Sequence, residues 1–252
     1  MGGNGEDVPR INFDRIAHCY DETRTLPFSQ MEAVMGPLVR ALSSYRRVLE
    51  VGVGTGRFAI PLQRAGIPLI GVDISARMVA RGREKGLREV FFADALHLPF
   101  QDQSLDAALS IHVLHLLPDW RPALAEVGRV TRKSYYTVAT DRKSRPSPFR
   151  VYWDYLRDAG CKRPRRGVFE RDLPERLPPQ ERTLIGTFSE TKVTSDVIQV
   201  LADRIYSGQW ETPEKLHREA VEAARRAFPE ETLQFEKTLS LLRWDAADLR
   251  AN

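Results

Sequence analysis

The stretch Val48-Leu49-Glu50-Val51-Gly52-Val53-Gly54-Thr55-Gly56-Arg57-Phe58 sets glycine at three alternate positions between an apolar, β-branched run and a helical pattern. Val48, Leu49, Val51 and Val53 read as a short strand, and residues 57–65 as the start of a helix. Gly52, Gly54 and Gly56 let the backbone turn sharply and approach a ligand where a Cβ would clash. The amides opening the next helix face the same ligand. A dinucleotide-binding turn, G-x-G-x-x-G, needs glycine at position 57, where this chain carries Arg57. A tight strand-to-helix turn with no ligand is the alternative.

Glu50-x-Gly52-x-Gly54-x-Gly56 resembles motif I of the class I S-adenosylmethionine-dependent methyltransferases. The resemblance implies a loop around the methionine half of the cofactor, with no pyrophosphate to cradle. The residues that follow agree. Residues 67–73 form a second apolar run ending in Asp73, 17 residues after Gly56. An acid there can accept hydrogen bonds from both ribose hydroxyls, because ligands of doubly wound sheets lie at the carboxyl edge of the strands. Ser75 is placed to cap a helix through Met78, Val79 and Gly82. Residues 90–95 give a third strand ending in Asp94. In the family the matching acid receives the adenine amino group and the residue at Ala95 offers its backbone to the ring, while Ile74 and Met78 stand at the adenine face. Either acid alone also suits a solvated loop or a helix cap.

Residues 104–112 read as strand four, and the segment 113–120 is similar to the "vLHHLPDW" stretch of the branch that includes ubiquinone/menaquinone-biosynthesis methyltransferases. Asp119 is expected to cap a helix over 120–130, and 134–140 to form strand five. Phe13-Asp14-Arg15-Ile16-Ala17-His18-Cys19-Tyr20-Asp21 looks like the "FDRIAxxYD" helix that folds over the cofactor in this family. By that resemblance Tyr20 covers the methionine part and Arg24 reaches a carboxylate. The plainer reading packs Phe13, Ile16 and Ala17 on the sheet edge. The resemblance spans about residues 13–141.

Methyl transfer from a sulfonium is an in-line displacement with a neutral leaving group, so alignment and exclusion of water matter most. A base is needed only where the acceptor must lose a proton. His112, at the end of strand four, is the candidate base, with a cofactor-lining or core histidine as the alternative. His115 is expected to be structural, and His18 and His97 have no case beyond being titratable.

Past residue 141 the pattern becomes irregular. An amphipathic helix carries Phe149, Tyr152, Trp153, Tyr155 and Leu156 and ends near Gly160, followed by a Pro- and Arg-rich stretch. Residues 182–193 read as strand six. A helix through Val197, Ile198, Leu201 and Ile205 follows, then one started by Thr212-Pro213-Glu214 and running to Phe228, and a last strand over 233–244. Two helices between strands six and seven resemble a cap seen in this branch, and residues 204–210 are similar to a stretch recurring there. Phe149, Trp153, Tyr206 and Trp210 are the candidate acceptor walls, or plain core.

The expected fold is therefore α/β, a doubly wound seven-stranded sheet in the order 3-2-1-4-5-7-6 with the last strand antiparallel, the order coming from the resemblance. Residues 1–145 would form the cofactor-binding core with its N-terminal lid helix. Residues 146–252 would complete the sheet and add the helical cap at about 194–228 in the same structural domain. A chain of 252 residues suits one such domain. The absence of an apolar run of eighteen residues and of an apolar N-terminal core points to the cytoplasm, with no membrane partner. Cys19 and Cys161 form no C-x-x-C pair, which disfavours a disulfide framework and a zinc site.

The net charge is only +4, but Arg142, Lys143, Arg145, Arg150 and the run 162–166 are basic. This patch is a solvated surface, a phosphate clamp for RNA, or a site for an anionic small substrate. Ser110-Ile111-His112-Val113 stands where amino-methylating nucleic-acid enzymes carry N/D-P-P-Y/F, which disfavours that subclass. Carbon-5 cytosine and arsenic chemistries lack the cysteines they need. The reading is transfer of a methyl group from S-adenosylmethionine to a small molecule. The alternatives are an RNA-modifying enzyme and a non-catalytic cofactor-binding regulator.

Overall fold

The computed structural model describes residues 13–24, 27–117, 119–142, 146–161 and 167–250. In chain order the elements are α1 (Tyr20–Arg24), α2 (Phe28–Leu42), β1 (Val48–Val51), α3 (Ala59–Arg64), β2 (Leu69–Asp73), α4 (Ala76–Glu84), β3 (Val90–Phe92), β4 (Leu105–Ser110) and α5 (Trp120–Val130). They continue with β5 (Thr131–Arg142), α6 (Pro148–Asp158), β6 (Glu181–Val193), α7 (Thr194–Ala202), α8 (Glu214–Ala227), β7 (Thr232–Asp245) and α9 (Ala246–Arg250). The seven strands make one sheet in the expected order, β3-β2-β1-β4-β5-β7-β6. Strands β1 to β5 pair in parallel. The amide of Gln180 donates to Arg243 O and that of Thr194 to Glu231 O, so β6 and β7 run antiparallel and the sheet is mixed.

The chain divides into two compact units. The first holds β1 to β4, α1 to α5, α9 and the segment following residue 166, while β5, β6 and β7 run from one unit into the other. Its core joins Leu49 and Val51 of β1, Val72 of β2 and Leu105 and Ala108 of β4 to Trp120, Leu124 and Val127 of α5, with Trp244 and Leu249. Short strands buried on both faces lose their alternation, and β1 and β4 are buried at every residue. Gly128 lets α5 approach α9, since a Cβ there would lie 2.9 Å from Ala246 O. In the second unit, α6, α7 and α8 bury Tyr152, Leu156, Ile198, Leu201, Ala220, Val221 and Ala224 together. The spacing of His217, Ala220, Val221 and Ala224 gives α8 one continuous buried stripe. Each buried leucine contributes about 1.5–3 kcal/mol.

Several expectations are corrected. The segment 13–21 is not one helix: a 3-10 turn at Phe13–Ile16 and the short α1 are separated by a turn. Strand one stops at Val51 because the amides of Gly52 and Val53 both turn to Val72 O, at 2.8 and 3.0 Å. Helix α3 starts at Ala59 and not at residue 57, so Pro61 falls in its first turn, where a missing N–H costs little. Asp119 occupies the N-cap of α5, but its side chain makes no capping bond. Ile205 lies beyond the end of α7, although it is buried. Helix α2 was not anticipated. It buries Gln30, Val34, Leu38 and Leu42 at four-residue spacing and holds Pro37 within it. No described helix is long and apolar enough to cross a membrane.

Candidate functional site

Parallel pairing fixes where the named residues meet. Val51 stands level with Val72 of β2 and Ser110 of β4, and Asp73 with Phe92 of β3. The glycine turn, Asp73, Asp94 and His112 therefore all follow or end strands at the carboxyl edge of four neighbours. Gly52, Gly54 and Gly56 have φ of 70°, 56° and 82°, the left-handed region that glycine enters without strain. They differ in what surrounds them. A Cβ on Gly52 would stand 2.4 Å from Val113 Cγ2, and one on Gly56 would stand 2.9 Å from Ile60 Cγ1. A Cβ on Gly54 would have no heavy atom within 4 Å among the described residues, its two chain neighbours aside.

Two carboxylates face this turn. Asp73 is fixed by the backbone, its Oδ2 accepting from Gly54 N and its Oδ1 from Ser75 N, both at 2.8 Å. Burial pushes the Asp73 carboxyl up; the Ser75 and Gly54 amides pull it down and the charge of Asp14 raises it. The Ile74 amide also lowers its pKa through a backbone hydrogen bond. Glu50 is 2% exposed and its Oε2 is a buried acceptor with no hydrogen-bond partner among the described residues. Burial, opposed by Arg57 and assisted by Asp73, raises its pKa to about 8.

The N-terminal segment is tied to the same edge. Asp21 of α1 accepts from Thr55 Oγ1 in the glycine turn at 2.6 Å and pairs with Lys85 Nζ at 2.8 Å. Burial works against its charge, but the bonds from Lys85 and Thr55 hold its pKa below the ordinary value. Asp14 accepts from Ser75 Oγ and from Arg77 N. Ser75 caps α4 as expected, accepting from Met78 N at 3.1 Å. Tyr20, next to Asp21, is half-buried and meets Phe13 edge-on at 5.9 Å. The side chain of Arg24 lies outside the described residues. Asp14 and Asp21, both within 13–21, thus make contacts at this edge that the sequence pattern does not single out.

Asp94 accepts from Leu96 N at 3.0 Å and lies 3.7 Å from His97 Nδ1, which gives His97 a contact that its sequence position did not suggest. Ile74 and Ala95 are half-buried, and Met78 is 2% exposed within the core. His112 is two residues past β4, half-buried, with φ of 62°, which is uncommon for a bulky residue. The loop it belongs to is held by a residue for which the sequence gives no local signal, Glu170. Its Oε1 accepts from Val113 N at 2.9 Å, and its Oε2 is 3.7 Å from His115 Nδ1. The basic run 162–166, with Lys143 and Arg145, lies outside the described residues. Among the described residues no group of three or more His, Cys, Asp or Glu is placed to hold a metal ion.

Residues 49–138 match a family described as a methyltransferase domain. The phosphatidylethanolamine N-methyltransferase of Cereibacter sphaeroides is 36% identical over 146 residues, 54% of this chain and 71% of that protein. The chain belongs to the S-adenosylmethionine-dependent methyltransferases. Demethylmenaquinone methyltransferase of Renibacterium salmoninarum is 35% identical over 151 residues, which are 57% of this methyltransferase and 63% of the relative's length. It represents the branch expected from residues 113–120. A solved structure described as a SAM-dependent methyltransferase from Thermotoga maritima shares the fold of this methyltransferase. Its TM-score is 0.51 at 21% identity, with 93% of this chain and 98% of that one covered.

Proposed function

We propose that this methyltransferase binds S-adenosylmethionine along the carboxyl edge of β1 to β4 and transfers its methyl group to a small molecule. The observation that carries the reading is the pairing of an open glycine turn with two carboxylates, the half-buried Asp73 and the buried Glu50, whose Oε2 has no hydrogen-bond partner among the described residues. Glu50 Oε2, buried and without a partner, suits an ammonium such as the one on the cofactor's methionine half. The space above Gly54 suits close approach of a ligand to the backbone. Asp73, held at fixed orientation by two amides, takes the ribose hydroxyls. Asp94 and the backbone of Ala95 take the adenine edge, Ile74 and Met78 its face, and Tyr20 covers the methionine end. When bound, S-adenosylmethionine supplies an electrophilic methyl group on a sulfonium. The protein aligns the acceptor and excludes water. His112 takes the acceptor's proton where one must be lost.

The relatives named above support a small acceptor, since one is named for phosphatidylethanolamine and the other for demethylmenaquinone. Acceptor choice is assigned to the second unit, with 194–228 as the cap. There Phe149 and Tyr206 meet edge-on at 5.2 Å, Trp153 packs on Tyr152 at 5.0 Å, and Trp210 Nε1 donates to Arg204 O at 2.9 Å. The cytoplasm is the proposed location. The test incubates the purified protein with methyl-labelled S-adenosylmethionine and either a small-molecule extract or total RNA. Label in the small-molecule fraction supports the reading, and label in RNA alone overturns it in favour of an RNA-modifying enzyme. Tight cofactor binding with no label in either fraction favours a regulator.

A further inference from the structure

The segment that follows residue 166 grips the loop after β4 at three points within the first unit. Gly167 N donates to His115 O at 3.2 Å, and a Cβ on Gly167 would stand only 2.0 and 2.1 Å from Leu114 O and Leu117 O, so backbone lies on backbone. The Phe169 ring stacks on His115 with centroids 5.1 Å apart and planes at 12°. Glu170, 4% exposed, accepts the amide of Val113 through Oε1 and faces His115 through Oε2. Val113 is also the residue that closes over Gly52. The chain 167–170 thus reaches the glycine turn through one intermediary, and the residue before that intermediary is the left-handed His112. A non-glycine residue in that region holds its conformation only when its surroundings over-determine it.

We propose that Glu170 is a positioning residue of the methyl-transfer site, fixing the His112–Val113 backbone and, through Val113, the shape of the Gly52 turn. The inference rests on the reading of that turn as the cofactor site. Val168, Leu173 and Leu177 anchor the segment in the main core, so the latch has a rigid base. A buried carboxylate is costly without partners, and Glu170 has them in the Val113 amide and His115. Burial raises its pKa, but contact with His115 and the charges of His112 and His115 outweigh this and hold it below the ordinary carboxylate value. Tyr135 of β5, whose hydroxyl lies 2.6 Å from Ser110 Oγ, also senses this charge.

The test combines amide hydrogen exchange at Val113 with calorimetric titration of S-adenosylhomocysteine into the wild type, Glu170→Ala, Glu170→Gln and, as a control for simple core loss outside the segment, Leu249→Ala. Glu170→Ala is expected to expose the Val113 amide, with exchange at least about tenfold faster, and to weaken S-adenosylhomocysteine roughly five- to twentyfold. Glu170→Gln retains an acceptor oxygen and should stay within about threefold of the wild type. Leu249→Ala should lower the melting temperature without altering affinity. If Glu170→Ala binds as the wild type does, or if Leu249→Ala weakens binding equally, Glu170 is ordinary core and the inference is wrong. A wild type that does not bind overturns the cofactor reading instead. The Val113 amide then still decides the latch, since unchanged protection in Glu170→Ala excludes it.

Discussion

Glu50 and Asp106 are buried carboxylates of adjacent parallel strands, one near the carboxyl edge and one at the amino edge of the sheet, and the two ends treat them oppositely. Asp106, at the start of β4, accepts from Arg46 N at 2.9 Å and Arg47 N at 3.1 Å, and its other oxygen pairs with Arg132 at 3.1 Å. Burial raises its pKa, but those amides and Arg132 bring it below the ordinary value. Glu50 has no such saturation, keeps one buried oxygen without a hydrogen bond, and is raised to about 8. The amino edge uses its acid to hold the chain entering β1. The carboxyl edge keeps, in Glu50, an acid that bonding among the described residues does not exhaust. That difference is what the proposed cofactor site rests on.

Gly52→Ala should break the carboxyl edge most severely. Its Cβ would collide with Val113 at a position where φ is already positive. Strain and overpacking together cost about 2–5 kcal/mol. Thermal melting measures that loss, and calorimetry should show no binding of S-adenosylhomocysteine.

The next effect is a pH dependence. Glu50 has a folded-state pKa of about 8 against an ordinary 4.5, so the folded protein binds the extra proton between those values. Stability is then full below about pH 4.5, declines as pH rises toward 8 and levels off above it. The loss is on the order of 2–4 kcal/mol in the cofactor-free protein. Glu50→Gln should flatten that slope in melting curves taken from pH 5 to 9, and should be the more stable form at pH 8. It should bind S-adenosylhomocysteine more weakly, because an amide cannot ionise to meet the ligand's ammonium. Parallel slopes in the two proteins would remove Glu50 from the comparison.

At the amino edge, Asp106→Ala should cost about 1–3 kcal/mol, because two backbone amides and Arg132 lose their acceptor. Urea unfolding reports it, and cofactor affinity should not change. The smallest change in stability is expected for Gly54→Ala, about 1 kcal/mol of left-handed strain with no clash. Its methyl group would nevertheless stand where the ligand approaches, so S-adenosylhomocysteine should bind more than about tenfold more weakly. Gly54→Ala thus separates binding from folding where Gly52→Ala cannot.

The same edge explains what could be read from the sequence. Glycines, strand-end acids and the Ser75 cap fall within a few residues of the strands that position them, so local pattern suffices, and the sheet order followed from the family they resemble. Glu170 could not be found that way. Its partner Val113 is 57 residues away, and it sits in an irregular stretch whose charges suggested a surface. Asp14 and Asp21 were hidden differently, because their bonds to Ser75 and Thr55 require the broken geometry of segment 13–24, and helical periodicity predicts one helix there. Helix α2 has a clear four-residue spacing but no motif, and Gly36-Pro37 interrupts its helical pattern.

The most direct test titrates S-adenosylhomocysteine into the wild type, Asp73→Ala and Asp106→Ala under one set of conditions. The account predicts micromolar binding to the wild type, unchanged binding to Asp106→Ala, and a loss of about 1.5–3 kcal/mol, roughly ten- to a hundredfold, in Asp73→Ala. A wild type that does not bind, or two variants weakened alike, would contradict the assignment of the cofactor to the carboxyl edge.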